Sequence, residues 1–471
     1  MSLQFHNTLG GRQEPFEPRQ PGHVGLYTCG PTVYAPAHVG NFRSFVFADL
    51  LRRYLLWSGY SVRWVMNITD VDDKIIRDAA REGISISELT ERHTRTFLED
   101  CRLLRIGEPD VMPRATEHID DMVALIRTLL DDGHAYRTDD GSIFFSIASW
   151  PAYGKLARID PEQQRVGERV EADEYSKDDV RDFALWKAAK PGEPTWETEI
   201  GPGRPGWHIE CSAMSMRYLG PSFDLHTGGV DLVFPHHEDE IAQSEAATGQ
   251  PFVGAWLHCA HLQMSGRKMA KSAGKVARPS DLYATGVSPR VLRYALLAVH
   301  YRAPVEFSDG SLVAAAGAVD RLSAALASLG AYREERQDDA MLGELLAGAR
   351  TDFATAMDDD LNVSAALAAL FDLIKELNRR VDARSISTAD AARAAESIRD
   401  LDRVLGVADE DDATVSEAVA ALLDARARAR SERDWARADE LRVELQRHQV
   451  IVEDTLDGQR WRRAVEVAGD G

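Results

Sequence analysis

The spacing of apolar residues changes several times along the chain, and each change marks an element. Residues 24–28 (VGLYT) form a short apolar run that stops at Cys29, Gly30 and Pro31, which predicts a buried strand and then a turn. From His38 to Trp57 the residues Phe42, Phe45, Val46, Leu50 and Tyr54 recur at helical spacing, and Gly59 closes the pattern. Val62–Ile68 reads as a second strand and Asp72 opens a second helix. Strand, helix, strand, helix in that order predicts a parallel sheet with crossover helices.

Between about 113 and 203 the pattern loosens into mixed helical and loop-rich text with charged stretches such as RVGERVEADEYSKDDVRD, as expected of an insertion. Strand-like runs return at Phe223–Leu225 and around Trp256–Leu262, so the sheet is expected to resume. From about Ser311 the chain is helical, and ALAALFDLIKELNRRV carries the apolar stripe of a bundle helix. The last sixty or so residues hold an arginine-rich helix, RARARSERDWARADELRVELQRH, and a β-like end, VIVEDTLDGQRWRR. The expected organisation is an α/β parallel-sheet domain in two halves, 1–112 and 204–310, around an insertion at 113–203. A helical bundle at 311–405 and a C-terminal region at 406–471 follow.

Composition narrows the function classes. Of 471 residues 44% are hydrophobic and 28% charged, and no uninterrupted apolar run approaches the roughly 20 residues that cross a bilayer. The start, MSLQFHNTLGGRQEPFEP, has neither a basic nor an apolar leader region, so a cytoplasmic protein is expected. Four cysteines, Cys29, Cys101, Cys211 and Cys259, are too few for a disulfide scaffold and leave metal ligation or burial open for each. The net charge of -21 would argue against a polyanionic partner, but a total does not report local basic tracks.

Three stretches carry candidate chemistry. CGPTVYAPAHVGN, Cys29 to Asn41, joins a strand to a helix start, where unpaired N–H groups and the positive dipole end can receive a phosphate. Gly40 would let a nucleotide approach the backbone, with His38 and Asn41 facing the phosphate; an ordinary helix start with an exposed histidine reads the same way. Lys268–Ser272 (KMAKS) lies in the Gly-rich basic stretch SGRKMAKSAGK, whose lysines suit a triphosphate or a plain solvated loop. Finally, Cys29, Cys211 in GWHIECSAM, and His236 with Glu240 in FPHHEDEIAQ make a possible zinc set, the last two at i, i+4 spacing. Buried thiols and a solvated helix start are the alternative.

Taken together and in this order, the first two stretches resemble the HIGH and KMSKS motifs of class I aminoacyl-tRNA synthetases, which share a Rossmann-like nucleotide fold. Two residues depart from the pattern: Asn41 stands in place of the final His and Ala270 in place of a Ser. The first still allows a hydrogen bond to phosphate; the second removes a hydroxyl. Over nearly the whole chain, YTCGPTVY, NITDVDDKI, GWHIECSAM, GGVDLVFPHHEDEIAQ and DDLNVSAALAALF resemble the cysteinyl-tRNA synthetases. That resemblance implies one Zn²⁺ per chain on Cys29, Cys211, His236 and Glu240, with His237 and Glu238 outside the set. It further implies a cysteine pocket with Thr69, Trp207 and Asp231, and an anticodon-binding C-terminal region.

The implied reaction is activation of L-cysteine by Mg·ATP and transfer to tRNA(Cys). Thr32, His38, Gly40 and Asn41 would serve the nucleotide, and Lys268 and Lys271 the leaving pyrophosphate. Shape alone separates serine from cysteine by only about 10 to 200-fold, whereas zinc takes a thiolate readily and an alcohol poorly. Four protein ligands usually close a site, so the ion must expand its shell or release a ligand. A ligase passing cysteine to an amino-sugar would share the core but have a shorter C-terminal third; a dead scaffold would be expected to lose the nucleotide motifs. A monomer without a membrane partner is expected.

Overall fold

The computed structural model describes residues 2–158, 181–264, 267–268, 277–408, 417–448, 450–455 and 458–463. Two compact units emerge: Ser2–His261 with Tyr301–Ala303, and Leu262–His300 with the chain from Pro304.

In the first unit β1 (Gln4–Asn7) and β2 (Arg12–Pro15) form an antiparallel hairpin. β3 (His23–Thr28), α1 (Val39–Trp57) and β4 (Ser61–Met66) follow as the apolar spacing predicts. Two more helices, α2 (Asp73–Glu82) and α3 (Ile86–Leu103), come next. The predicted second strand stops two residues short, at Met66, although the chain continues beside its neighbour: Thr32 and Thr69 still pair as an isolated bridge.

The insertion is more regular than its text suggests. After α4 (Ile119–Asp131) come β5 (Ala135–Arg137), β6 (Ile143–Phe145), β7 (Phe183–Ala188) and β8 (Gly203–Pro205), paired antiparallel in that order. Mixed helical and loop-rich text is therefore corrected to a helix and a four-stranded sheet. The strand runs are three to six residues long, too short to show alternation, and their apolar residues are buried on both faces. Lys187 of β7 and Arg204 of β8 both bond the Asp73 carboxylate at the start of α2.

α5 (Trp207–Leu219), β9 (Phe223–Gly229), α6 (Glu238–Thr248) and β10 (Val253–Cys259) return the chain to the central sheet. Its order is β10-β9-β3-β4, every pair parallel, with Leu26 opposite both Trp64 and Leu225. The chain leaves β3 for β4 on one side and later returns to β9 on the other. The carboxyl end of β3 is thus the switch point at which open α/β sheets bind ligands.

The second unit opens with β11 (Leu262–Met264) and β12 (Arg267–Lys268), then α7 (Pro279–Ala284), α8 (Pro289–Leu297) and β13 (Val305–Phe307), with β11 between the other two strands. The bundle helices are α9 (Asp309–Ala331), α10 (Leu342–Asp358), α11 (Val363–Asp382) and α12 (Thr388–Leu405). By length and mean hydropathy of 1.5 α9 alone among the described helices could cross a bilayer, but 61% of its apolar window is buried inside the protein. α13 (Glu417–Ser431), α14 (Trp435–Arg447) and the antiparallel pair β14 (Val450–Thr455) and β15 (Gly458–Arg463) complete the chain. Arg426 of α13, 2% exposed, donates to Gln459 Oε1 at 2.7 Å and Asp454 Oδ1 at 2.9 Å, so one arginine of the basic helix is an internal strut.

Candidate metal and nucleotide site

Each candidate metal ligand sits where its element ends or turns. Cys29 directly follows β3, Cys211 lies in the first turns of α5, and His236 lies in a wide turn, Val233–His237, that runs into α6, which carries Glu240. Gly30 lets this corner close: a Cβ there would stand 1.6 Å from the Asn67 carbonyl oxygen. One ligand atom from each of the four residues lies within 4.8 Å of every other. Cys29 Sγ is 3.8 Å from Cys211 Sγ and 3.7 Å from Glu240 Oε1, and His236 Nε2 is 3.2 Å from the same oxygen. A tetrahedral zinc with Zn–S near 2.3 Å separates two sulfurs by about 3.8 Å, so this donor set fits that ion.

The electrostatics favour a cation. Burial, then Cys211 and Glu240, pushes the Cys29 thiol pKa well up. A hydrogen bond from Cys29 pulls Cys211 down, but burial and the Glu240 and Glu210 carboxylates outweigh it and leave that thiol raised. Burial and the neighbouring His208 and His226 hold His236 well below its usual value. Four buried donors crowded together in this way gain a common partner when a divalent ion binds.

A layer of histidines and aromatics encloses these residues. His226 Nε2 lies 3.0 Å from Glu240 Oε2, and the His236 ring is stacked by Trp207 at 4.2 Å and met at Nδ1 by His208 Nδ1 at 3.0 Å. His237, expected outside the set, brings Nε2 to 3.3 Å from Cys29 Sγ. With Cys29, His226 and Glu240 it forms a second group of metal-competent geometry. From His237 the contacts run to His258 at 2.7 Å and on to Thr8 Oγ1 at 2.7 Å. Burial and then His226 lower His258 to about 3. Glu238 is structural: its carboxylate accepts from the backbone N–H groups of Gly154, Leu156 and Ala157, each at 2.9 Å.

Sequence reasoning missed His208, His226, His258 and Tyr27. Strand parity was the available signal: Tyr27 and Cys29 are two apart, as are Trp256 and His258, so each pair shares a face.

The remaining predicted residues divide. Thr69 is buried beside the cluster, donating to Glu210 Oε2 at 3.0 Å and accepting from Asn67 at 3.1 Å. Asp231 lies past the end of β9, half exposed, 3.6 Å from His261 Nδ1. His38 and Asn41 bond each other: Asn41 N–H donates to His38 Nδ1 at 3.2 Å and His38 N–H to Asn41 Oδ1 at 3.0 Å, a capping box at the start of α1. A neutral His38 accepting at Nδ1 carries its proton on Nε2. Gly40 stands in the first turn of α1. Lys268 ends β12, its side chain outside the described part, and Ala270 and Lys271 lie outside the described residues.

Parallel sheet, switch-point cluster and capped helix are the features of a class I aminoacyl-tRNA synthetase. Residues 15–317 match the model for the class I (C) tRNA synthetase catalytic domain, 352–409 the DALR domain, and 412–462 the cysteinyl-tRNA ligase anticodon-binding domain. The cysteine–tRNA ligase of Halorhodospira halophila is 47% identical over 471 residues, covering 98% of this chain and 99% of that one. That of Koribacter versatilis is 43% identical over 494 residues, covering 98% and 100%. The chain therefore belongs to the cysteine–tRNA ligase family. Among solved structures, Mycobacterium tuberculosis methionyl-tRNA synthetase in complex with methionyl-adenylate shares the fold at TM-score 0.59, with 17% identity over 82% of this chain and 90% of that one.

Proposed function

We propose that the protein activates L-cysteine with Mg·ATP and transfers it to tRNA(Cys), selecting cysteine with one zinc ion held by Cys29, Cys211, His236 and Glu240. The observation that carries the metal assignment is the convergence of four buried donors, from three separate stretches of chain, at tetrahedral spacing. A bound zinc would supply a soft Lewis acid that takes the substrate sulfur as thiolate and passes over the serine hydroxyl. The match of 412–462 to an anticodon-binding domain supports tRNA over an amino-sugar as the acceptor.

In the first step a carboxylate oxygen of cysteine attacks the α-phosphorus of ATP; the bond to the bridging oxygen breaks and pyrophosphate leaves. His38 and Asn41, locked by their mutual hydrogen bonds at the N-terminus of α1, hold phosphate oxygens against the positive end of the helix. Thr32 and Gly40 line the same approach, and Lys268 and Lys271 neutralise the pyrophosphate. Thr69 and Trp207 wall the amino-acid pocket and Asp231 receives the ammonium group. In the second step a terminal ribose hydroxyl of tRNA attacks the adenylate carbonyl and AMP leaves. The enzyme is read as a cytoplasmic monomer.

The test is zinc content with cysteine- and serine-dependent pyrophosphate exchange, in the parent protein and in Cys211→Ser. The expected result is zinc in the parent, and in the variant loss of metal with at least a tenfold loss of cysteine activation, the low end for a weakened metal site. Unchanged zinc and unchanged selectivity in the variant would remove the metal assignment.

A further inference from the structure

Alternation along β3 turns Tyr27 to the same face as Cys29, and Tyr27 is wholly buried in one cluster with Cys29 and Cys211. Its ring is fixed edge-on by His226 at 5.1 Å and tilted against Phe223 at 6.3 Å. The hydroxyl makes no hydrogen bond of ordinary geometry to any described residue. The sulfurs of Cys29 and Cys211 share its buried cluster. Buried hydroxyls are seldom left unpaired, and a neutral thiol is a weak acceptor whereas a thiolate is a strong one.

Charge counting shows what such a donor would do. Two thiolates and a carboxylate would bring a bound Zn²⁺ to a net minus one, and a substrate thiolate would make it minus two. Glu240 already has His226 on its second oxygen, whereas Cys211 Sγ meets Asn67 Oδ1 at 3.8 Å, an amide oxygen that cannot donate to a thiolate. We propose that Tyr27 is a positioning residue of the metal centre, its hydroxyl donating to the Cys211 thiolate and drawing charge from that sulfur so that the ion accepts a fifth, substrate-derived sulfur. This rests on the zinc assignment of the proposed function and deepens it.

Zinc in the parent protein is measured first, which separates failure of that assignment from failure of this one. In zinc-loaded Tyr27→Phe, the dissociation constant for cysteine is expected to rise about tenfold, the low end for a second layer of metal contacts, with a smaller change in exchange rate at saturating cysteine. In the Co²⁺-substituted variant the sulfur-to-metal absorption band is expected to move to longer wavelength, because a sulfur without its donor gives up an electron more easily. A purely structural tyrosine would lower the melting temperature and leave that band in place. Zinc-loaded parent and variant with the same cysteine affinity and the same cobalt band would overturn the proposal. If the variant does not fold, the unaltered protein loaded with ¹¹³Cd decides. A slowly exchanging tyrosine hydroxyl proton coupled to the metal through sulfur is expected, and a resolved spectrum without it overturns the proposal.

Discussion

The candidate metal cluster of the first unit and the arginine-rich helices of the second both collect residues with charge or donor capacity, yet they do so in opposite ways. Cys29, Cys211, His236 and Glu240 are at most 8% exposed, come from three distant stretches of the sequence, and are surrounded by further donors. In α13 and α14 the arginines are neighbours in sequence, and several are committed to acids within the chain: Arg426 and Arg430 to Asp454, Arg437 to Glu440. Buried donors crowded together make a site that a ligand completes, whereas arginines already paired with acids leave RNA phosphates to compete for them. Arg428 and Arg433 are exposed and precede Trp435, which is 58% exposed, so this stretch suits phosphate contact and base stacking. The side chain of Trp461, the second aromatic expected there, lies outside the described part.

The comparison breaks most sharply at Glu240. Glu240→Gln is expected to lower zinc affinity about 10² -fold by equilibrium dialysis, while Glu238→Gln, two residues away, leaves metal content unchanged. A second contrast concerns pH. His258, lowered to about 3 by burial and then His226, stays neutral in the folded protein while the unfolded chain takes up a proton below about 6.5. The unfolded state therefore binds more protons between those values, and folding stability falls with acidification across that window by about 1.4 kcal/mol per pH unit for this group. His258→Asn should flatten that part of a denaturant-unfolding series run from pH 7 to 4.

Smaller effects sharpen the difference. Glu238→Gln keeps one acceptor for three N–H groups and is expected to cost about 2 kcal/mol in urea unfolding. Arg426→Met should destabilise the C-terminal unit by about 2 kcal/mol, less than a fully buried pair because Asp454 is 41% exposed. Arg428→Ala should leave cysteine-dependent pyrophosphate exchange unchanged and reduce the salt slope of tRNA binding by about one. An unchanged slope would assign the tRNA contact to another face.

Much of the first unit was legible. The short apolar run before Cys29 and the 3.6-residue spacing after His38 locate β3 and α1 to within a residue, because long periodic segments resist alternative readings. The sheet of the insertion was hidden because β5, β6 and β8 span three residues each. Family resemblance supplied the ligand set, but not His226, His237 and His258, which spacing alone presents as ordinary strand or helix-start residues. Nor could spacing show that His38 and Asn41 satisfy each other's backbone, or that Arg426 is turned inward. Those facts depend on which side of an element meets a neighbour far away in the chain.

The distance between Cys29 and Cys211 along the chain, 182 residues, has a consequence for biosynthesis. At about 5 to 20 residues per second, the first thiol leaves the ribosome some 10 to 40 s before the second has been made. For that interval a nascent chain holds Cys29 without any of the other three candidate ligands, which all come later in the sequence. Capture of an ion by this set would therefore be a late event in maturation, following synthesis of most of the first unit.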